Sequence, residues 1–118
     1  MKAKELEERL IQFGVMIIEI VNEMPASKAG AHLSGQLLRS GTSCALNYGE
    51  AQSGESRKDF VHKISIVLKE LRETLVNLKM IYRAGLYHSD DKIIVAIKEN
   101  NELISIFVKS IKTAISNQ

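Results

Sequence analysis

Apolar residues recur at helical spacing in four long segments of this chain, separated by short polar or glycine-containing breaks. In the first segment Leu6, Leu10, Phe13, Ile17, Val21 and Met24 follow one another at intervals of three and four. That spacing puts them on one side of an amphipathic helix from about Ala3 to Met24. Ile11, Val15, Ile18 and Ile20 widen the stripe beyond a single helix–helix seam. Pro25 ends the helix, because proline disfavours α geometry in the residue before it.

The second segment, starting somewhere in Ser27 to Ser34 and running to about Ala51, is the least regular. Gly30, Gly35, Gly41, Ser40, Thr42, Ser43 and Ala45 would by propensity alone make part of it loop. Leu33, Leu37, Cys44, Tyr48 and Ala51 nevertheless keep a helical spacing, so a helix is expected. Its small residues would let a neighbouring helix come close. A loop at Gln52-Ser53-Gly54-Glu55 leads to Ser56-Arg57-Lys58-Asp59, an N-cap with an acidic residue three positions on. The third helix then runs to about Ala84, where Gly85 suits a left-handed cap and Leu86 its apolar contact. Phe60, Ile64, Val67, Leu71, Leu75, Leu78 and Tyr82 form its expected core face.

The fourth helix begins after Ser89-Asp90-Asp91, a cap with acids that suit a helix N-terminus. Ile93, Ile97, Ile104, Val108, Ile111 and Ile115 are expected to point inward, with Leu103, Ile106 and Phe107 widening the stripe. Four helices with short connections predict an all-α fold, an antiparallel up-down four-helix bundle. The extra apolar width on the first and fourth helices has two readings. One is a deep core with scattered exposed aliphatics; the other is a self-association surface on a small domain.

Length and charge narrow the picture. The 118 residues leave room for one domain, 1–118, and one core. A net charge of +2 excludes a strongly basic protein but says nothing about local patches. Cys44 is the single cysteine, so no intramolecular disulfide is possible. The charged N-terminus lacks the apolar run of a signal peptide, and no run is long enough to cross a bilayer. A cytoplasmic protein with no membrane association is expected.

Charge on the third helix is sorted by sign. On a wheel of about 100° per residue, Lys58, His62, Lys69, Arg72, Lys79 and Arg83 gather on the sector roughly opposite the core. Asp59, Lys63, Glu70, Glu73 and Asn77 form a stripe between the two. The basic row is either a solvated face softened by nearby acids or a ridge that follows a phosphate backbone. It lacks aromatic residues for base stacking, so such a ridge would follow backbone or shape. On the second helix Gln36, Ser40, Ser43, Asn47 and Glu50 share a face, with Arg39 beside them. If that face meets Glu70 and Glu73, Arg39 would pair there in a partly buried network. The same face could instead be a pocket or a partner-recognition site.

Enzyme chemistry finds little support. His32, His62 and His88 lie on separate segments without metal-ligand spacing, and no Glu-x-x-His pair marks a di-iron bundle. A lone helical cysteine such as Cys44 is usually a small core residue. No Walker-type glycine loop is present. No metal and no cofactor are expected.

Between Gln36 and Leu86 the chain resembles the four-helix-bundle proteins encoded by intervening sequences in bacterial 23S rRNA genes. The resemblance rests on Gln36-Leu37-Leu38-Arg39-Ser40-Gly41-Thr42-Ser43 and Asn47-Tyr48-Gly49-Glu50-Ala51-Gln52. Ser56-Arg57-Lys58-Asp59-Phe60, Leu68-Lys69-Glu70-Leu71-Arg72-Glu73-Thr74 and Gly85-Leu86 extend it. It implies an up-down bundle that assembles as a ring, a homopentamer, without an established activity. Bundles of similar fold serve as accessory proteins of diversity-generating retroelements, where a basic pentameric barrel binds nucleic acid and a reverse transcriptase. This chain's weak net charge departs from such a barrel, although a ring would repeat the Lys58–Arg83 row and add avidity. The expectation is a non-enzymatic binding protein whose ligand is RNA or another nucleic acid. The alternative is an adaptor that recognises a protein partner through the second helix's polar face or exposed apolar surface.

Overall fold

The computed structural model describes residues 1–54 and 56–117; Glu55, in the loop expected before the third helix, lies outside them. The chain forms α1 (Ala3–Asn22), α2 (Lys28–Gln52), α3 (Arg57–Ala84) and α4 (Asp90–Ser116). Each boundary has a local cause. Ser27, Ser56 and Ser89 accept hydrogen bonds from the backbone N–H groups of Gly30, Asp59 and Lys92, so three helices start on a serine cap. α1 closes two residues earlier than the proline alone predicts. Glu23 and Met24 donate to the Ile20 and Val21 carbonyls, tightening the last turn into three-residue steps before Pro25. α3 ends at Gly85, whose φ of 64° opens the left-handed turn. Gly85 N–H donates to Tyr82 O and Leu86 N–H to Ile81 O, the bond pattern of a Schellman cap. Gln52, expected in the loop, instead completes α2.

Side-chain pairs fix the helix directions. Glu50, late in α2, meets Lys63, early in α3, while Arg39 reaches Glu70 and Glu73. Arg9, early in α1, meets Glu99 and Glu102, while Glu23 at the α1 end meets Lys92 at the start of α4. Gly14 lies against Gly41 and Thr42, and Gly49 near Glu7. Neighbouring helices are therefore antiparallel, in a bundle measuring 47 × 20 × 20 Å.

The core runs the length of this rod. Leu10, Phe13, Ile17 and Ile20 of α1 meet Leu37, Cys44 and Tyr48 of α2. Ile64, Val67, Leu71, Leu78 and Ile81 of α3 and Ile93, Leu103 and Phe107 of α4 complete it. Tyr48 and Phe107 pack edge to face, ring centroids 5.5 Å apart.

Two expected faces differ from those observed. On α3, Tyr82 is exposed and Ile81 is buried. The helix is rolled toward α2, so its buried set takes in Glu70, Thr74 and Asn77. The small residues Ser40 and Gly41 on α2 make that approach possible. On α4 the seam is Ile93, Ala96, Asn100, Leu103, Phe107 and Ala114. Ile97, Ile104, Val108 and Ile111 are only half-buried, and Ile115 is exposed. Asn100 explains the rotation. With its amide oriented to satisfy its neighbours, its buried carboxamide donates to Leu71 O at 3.0 Å and accepts from Leu75 N–H at 3.2 Å, clasping α4 to the α3 backbone.

Candidate functional site

Two polar surfaces flank the same stretch of α3. On its outer side, Lys58, His62, Lys69, Arg72, Lys79 and Arg83 are all exposed. At a rise of about 1.5 Å per residue the row spans roughly 38 Å. None of the six has a carboxylate within ion-pair distance among the described residues. Two acids that would soften the row, Glu70 and Glu73, are engaged elsewhere. Arg39 on α2 holds Glu70 Oε2 at 3.0 Å and Glu73 Oε2 at 2.8 Å, drawing both carboxylates toward the α2 side. Lys63 donates to Glu50 at 2.6 Å.

On the α2 side, Arg39, Ser40 and Glu50 meet α3. Glu70 is buried, with Arg39 as its counter-charge. Thr74 Oγ1 hydrogen-bonds to Ser40 Oγ and to the Glu70 carbonyl oxygen, both at 2.8 Å. Two further members of the α2 line, Ser43 and Asn47, serve their own helix. Ser43 Oγ donates to the Ser40 carbonyl at 3.0 Å and Asn47 Nδ2 to the Ser43 carbonyl at 2.9 Å. Such back-bonding satisfies short polar side chains within a helix.

Above this network lies an open groove of about 560 Å³, lined by Gln36, Arg39, Ser40, Arg72, Glu73, Val76, Asn77 and Met80. Asn77 is only 5% exposed, and its Oδ1 has no hydrogen-bond partner. An acceptor left unmet in such a position costs about 1–3 kcal/mol. The placement of Asn77 in the α3 stripe was legible; its missing partner was not, since no local pattern reveals it.

Two further reactive groups, Cys44 and Tyr87, are buried. Burial pushes the Cys44 thiol up to about 12, and the S–H donates to the Ser40 carbonyl at 3.3 Å. At the far end, Tyr87 donates to Glu23, which also meets His88 and Lys92. The hydrogen bond from Tyr87 holds the Glu23 carboxyl below its ordinary range, while burial first and then Glu23 push the Tyr87 phenol up to about 12. Sequence reading missed this clasp, because Glu23 and Tyr87 are far apart in the chain and neither stands in a motif. Among the described residues no three His, Cys, Asp or Glu side chains gather as metal ligands, and no helix is long and apolar enough to cross a membrane.

Comparison with known proteins adds a lineage. A crystal structure from Bacteroides thetaiotaomicron, of a protein of unknown function in the S23 ribosomal protein family, is similar at a TM-score of 0.85. The two share 28% identity over 95% of this chain and 99% of that one. No match was found among curated proteins. The family model described as 23S rRNA-intervening sequence protein matches residues 4–109, and no enzymatic family is indicated. With the four-helix bundle and the α2–α3 motifs in agreement, the chain belongs to the 23S rRNA-intervening sequence protein family.

Proposed function

We propose that this protein is a non-enzymatic binding protein that holds RNA or another nucleic acid along the outer row of α3, as part of a homo-oligomeric ring. One observation carries the reading: six exposed basic side chains share one helix face without a carboxylate partner among the described residues. Unpaired Lys and Arg keep their full attraction for phosphates and release condensed counterions on contact. Diverting Glu70 and Glu73 to Arg39 gives the row a local field that a net charge of +2 conceals.

Self-association has its own support. Ile11, Val15 and Ile18 on α1 and Leu38 and Leu46 on α2 are exposed. Gly14 against Gly41 shows that the two helices carrying these residues are in close contact. Copies joined through this apolar surface leave the α3 row free and repeat it, which multiplies weak contacts by avidity. The resemblance to ring-forming bundles makes the expected assembly a pentamer.

Light scattering on the purified protein, alone and with a single-stranded RNA, tests the reading. It predicts an oligomer whose mass rises with RNA at low salt and returns to the protein-only value at high salt. A monomer whose mass RNA leaves unchanged would refute it.

A further inference from the structure

The α3 row can hold a strand but has no evident means of reading one. Beside it, the α2–α3 groove has features that phosphate binding leaves unexplained. Asn77, at its floor, is 95% buried with an acceptor oxygen that nothing in the protein meets. Gln36, a second carboxamide, lines the same groove from α2. Val76 and Met80 form its outer wall and are 56% and 46% exposed, an apolar pair on a face otherwise given to charge. Arg72 belongs both to this lining and to the basic row. A strand held at Arg72 therefore passes the groove mouth.

We propose that the groove receives one unpaired nucleobase of that strand, its hydrogen-bonding edge met by Asn77 and Gln36. The proposal rests on the reading of the α3 row given above. A carboxamide offers an acceptor and a donor side by side, the complement of a base edge; adenine's amino group and ring nitrogen are its favoured match. The Asn77 amide turns readily about its terminal torsion, which is broad and roughly two-fold. Rotating the amide would bring Oδ1 from its buried position to the groove, where it could take the base's N–H. Val76 and Met80, one turn apart on α3, would cover one face of the base, the methionine sulfur being soft enough to pack on an aromatic ring. A volume of about 560 Å³ is of the size that takes small organic groups.

The test compares a short labelled oligoadenylate with an abasic ribose-phosphate strand of equal length, by fluorescence anisotropy. The wild type is expected to bind the oligoadenylate about tenfold tighter than the abasic strand. Asn77→Leu and Gln36→Leu should each reduce that preference while leaving abasic binding and its salt dependence unchanged. Gln36 is exposed, so its variant keeps the test alive if Asn77→Leu fails to fold. Equal affinity for the two strands, or a preference that neither variant alters, overturns the base site and leaves the α3 row standing. A peptide as the groove's true occupant would give that result. If neither strand binds, the row reading fails and the base site falls with it.

Discussion

Gly41 lies directly against Ile17: a methyl group on its Cα would come within 2.8 Å of Ile17 Cγ1 and 2.9 Å of Cγ2. The closeness of α1 and α2 thus depends on a hydrogen in place of a side chain. Gly35, two turns earlier on α2, has nothing within 4 Å of the same construction.

These two glycines should respond oppositely to alanine. At Gly35 the helix gains about 1 kcal/mol from better propensity with nothing to displace. At Gly41 the same gain competes with overpacking that costs about 1–3 kcal/mol, because Ile17 is fully buried and branched at the contact. Denaturant midpoints should therefore rise for Gly35→Ala and fall for Gly41→Ala. Ile17→Ala removes both contacting carbons, so the Gly41→Ala/Ile17→Ala double variant should be more stable than the sum of the single losses. Additive losses would place the cost elsewhere.

The clasp of Tyr87 on Glu23 gives stability a pH signature at both ends. Tyr87, raised to about 12 from 10.0, stays neutral in the fold while the unfolded chain ionises. The unfolded state thus releases the proton first, and stability is lost as pH rises from about 10 toward 12. Glu23 is lowered from 4.5, so its contribution is present above that value and is lost as pH falls through the lowered one. Urea midpoints of wild type should fall more steeply than those of Tyr87→Phe above pH 10, and than those of Glu23→Gln on the acid side. Parallel curves would show that the contact carries no linkage.

Cys44 should be chemically silent until the bundle opens. Its thiol is fully buried and raised to about 12, whereas a free thiol titrates near pH 8.5. At pH 8 the thiolate fraction is then lower by about a thousandfold or more. Reaction with a disulfide reagent should follow the unfolding equilibrium and become immediate in denaturant. Rapid labelling of the folded protein would contradict the burial.

The starts of α3 and α4 were legible because each rests on a local device, a serine cap with its bonded N–H three residues on. Gly85 and Leu86 were legible for the same reason. The inward face of α4 was not. Hydrophobicity ranks Ile97, Ile104 and Ile111 above Ala96, Asn100 and Ala114, yet the latter form the seam. Small residues and one polar clasp decide the rotation, through contacts with α3 that sequence spacing does not encode. The α2–α3 polar residues could be sorted onto facing stripes, since helical periodicity suffices for that. Which of them would remain unpaired depended on the roll of α3 toward α2. That roll buries Asn77 and exposes Tyr82.

The salt dependence of RNA binding tests the α3 row as a nucleic-acid surface most directly. Each phosphate neutralised on a single strand contributes about −0.7 to the slope of log K against log salt. Five or six contacts on one protomer predict a slope of about −4 for a short oligonucleotide. Replacing Lys69, Arg72 and Lys79 by Glu should weaken binding steeply and make the slope shallower by about 2. A triple variant that binds with wild-type affinity and slope would contradict the account.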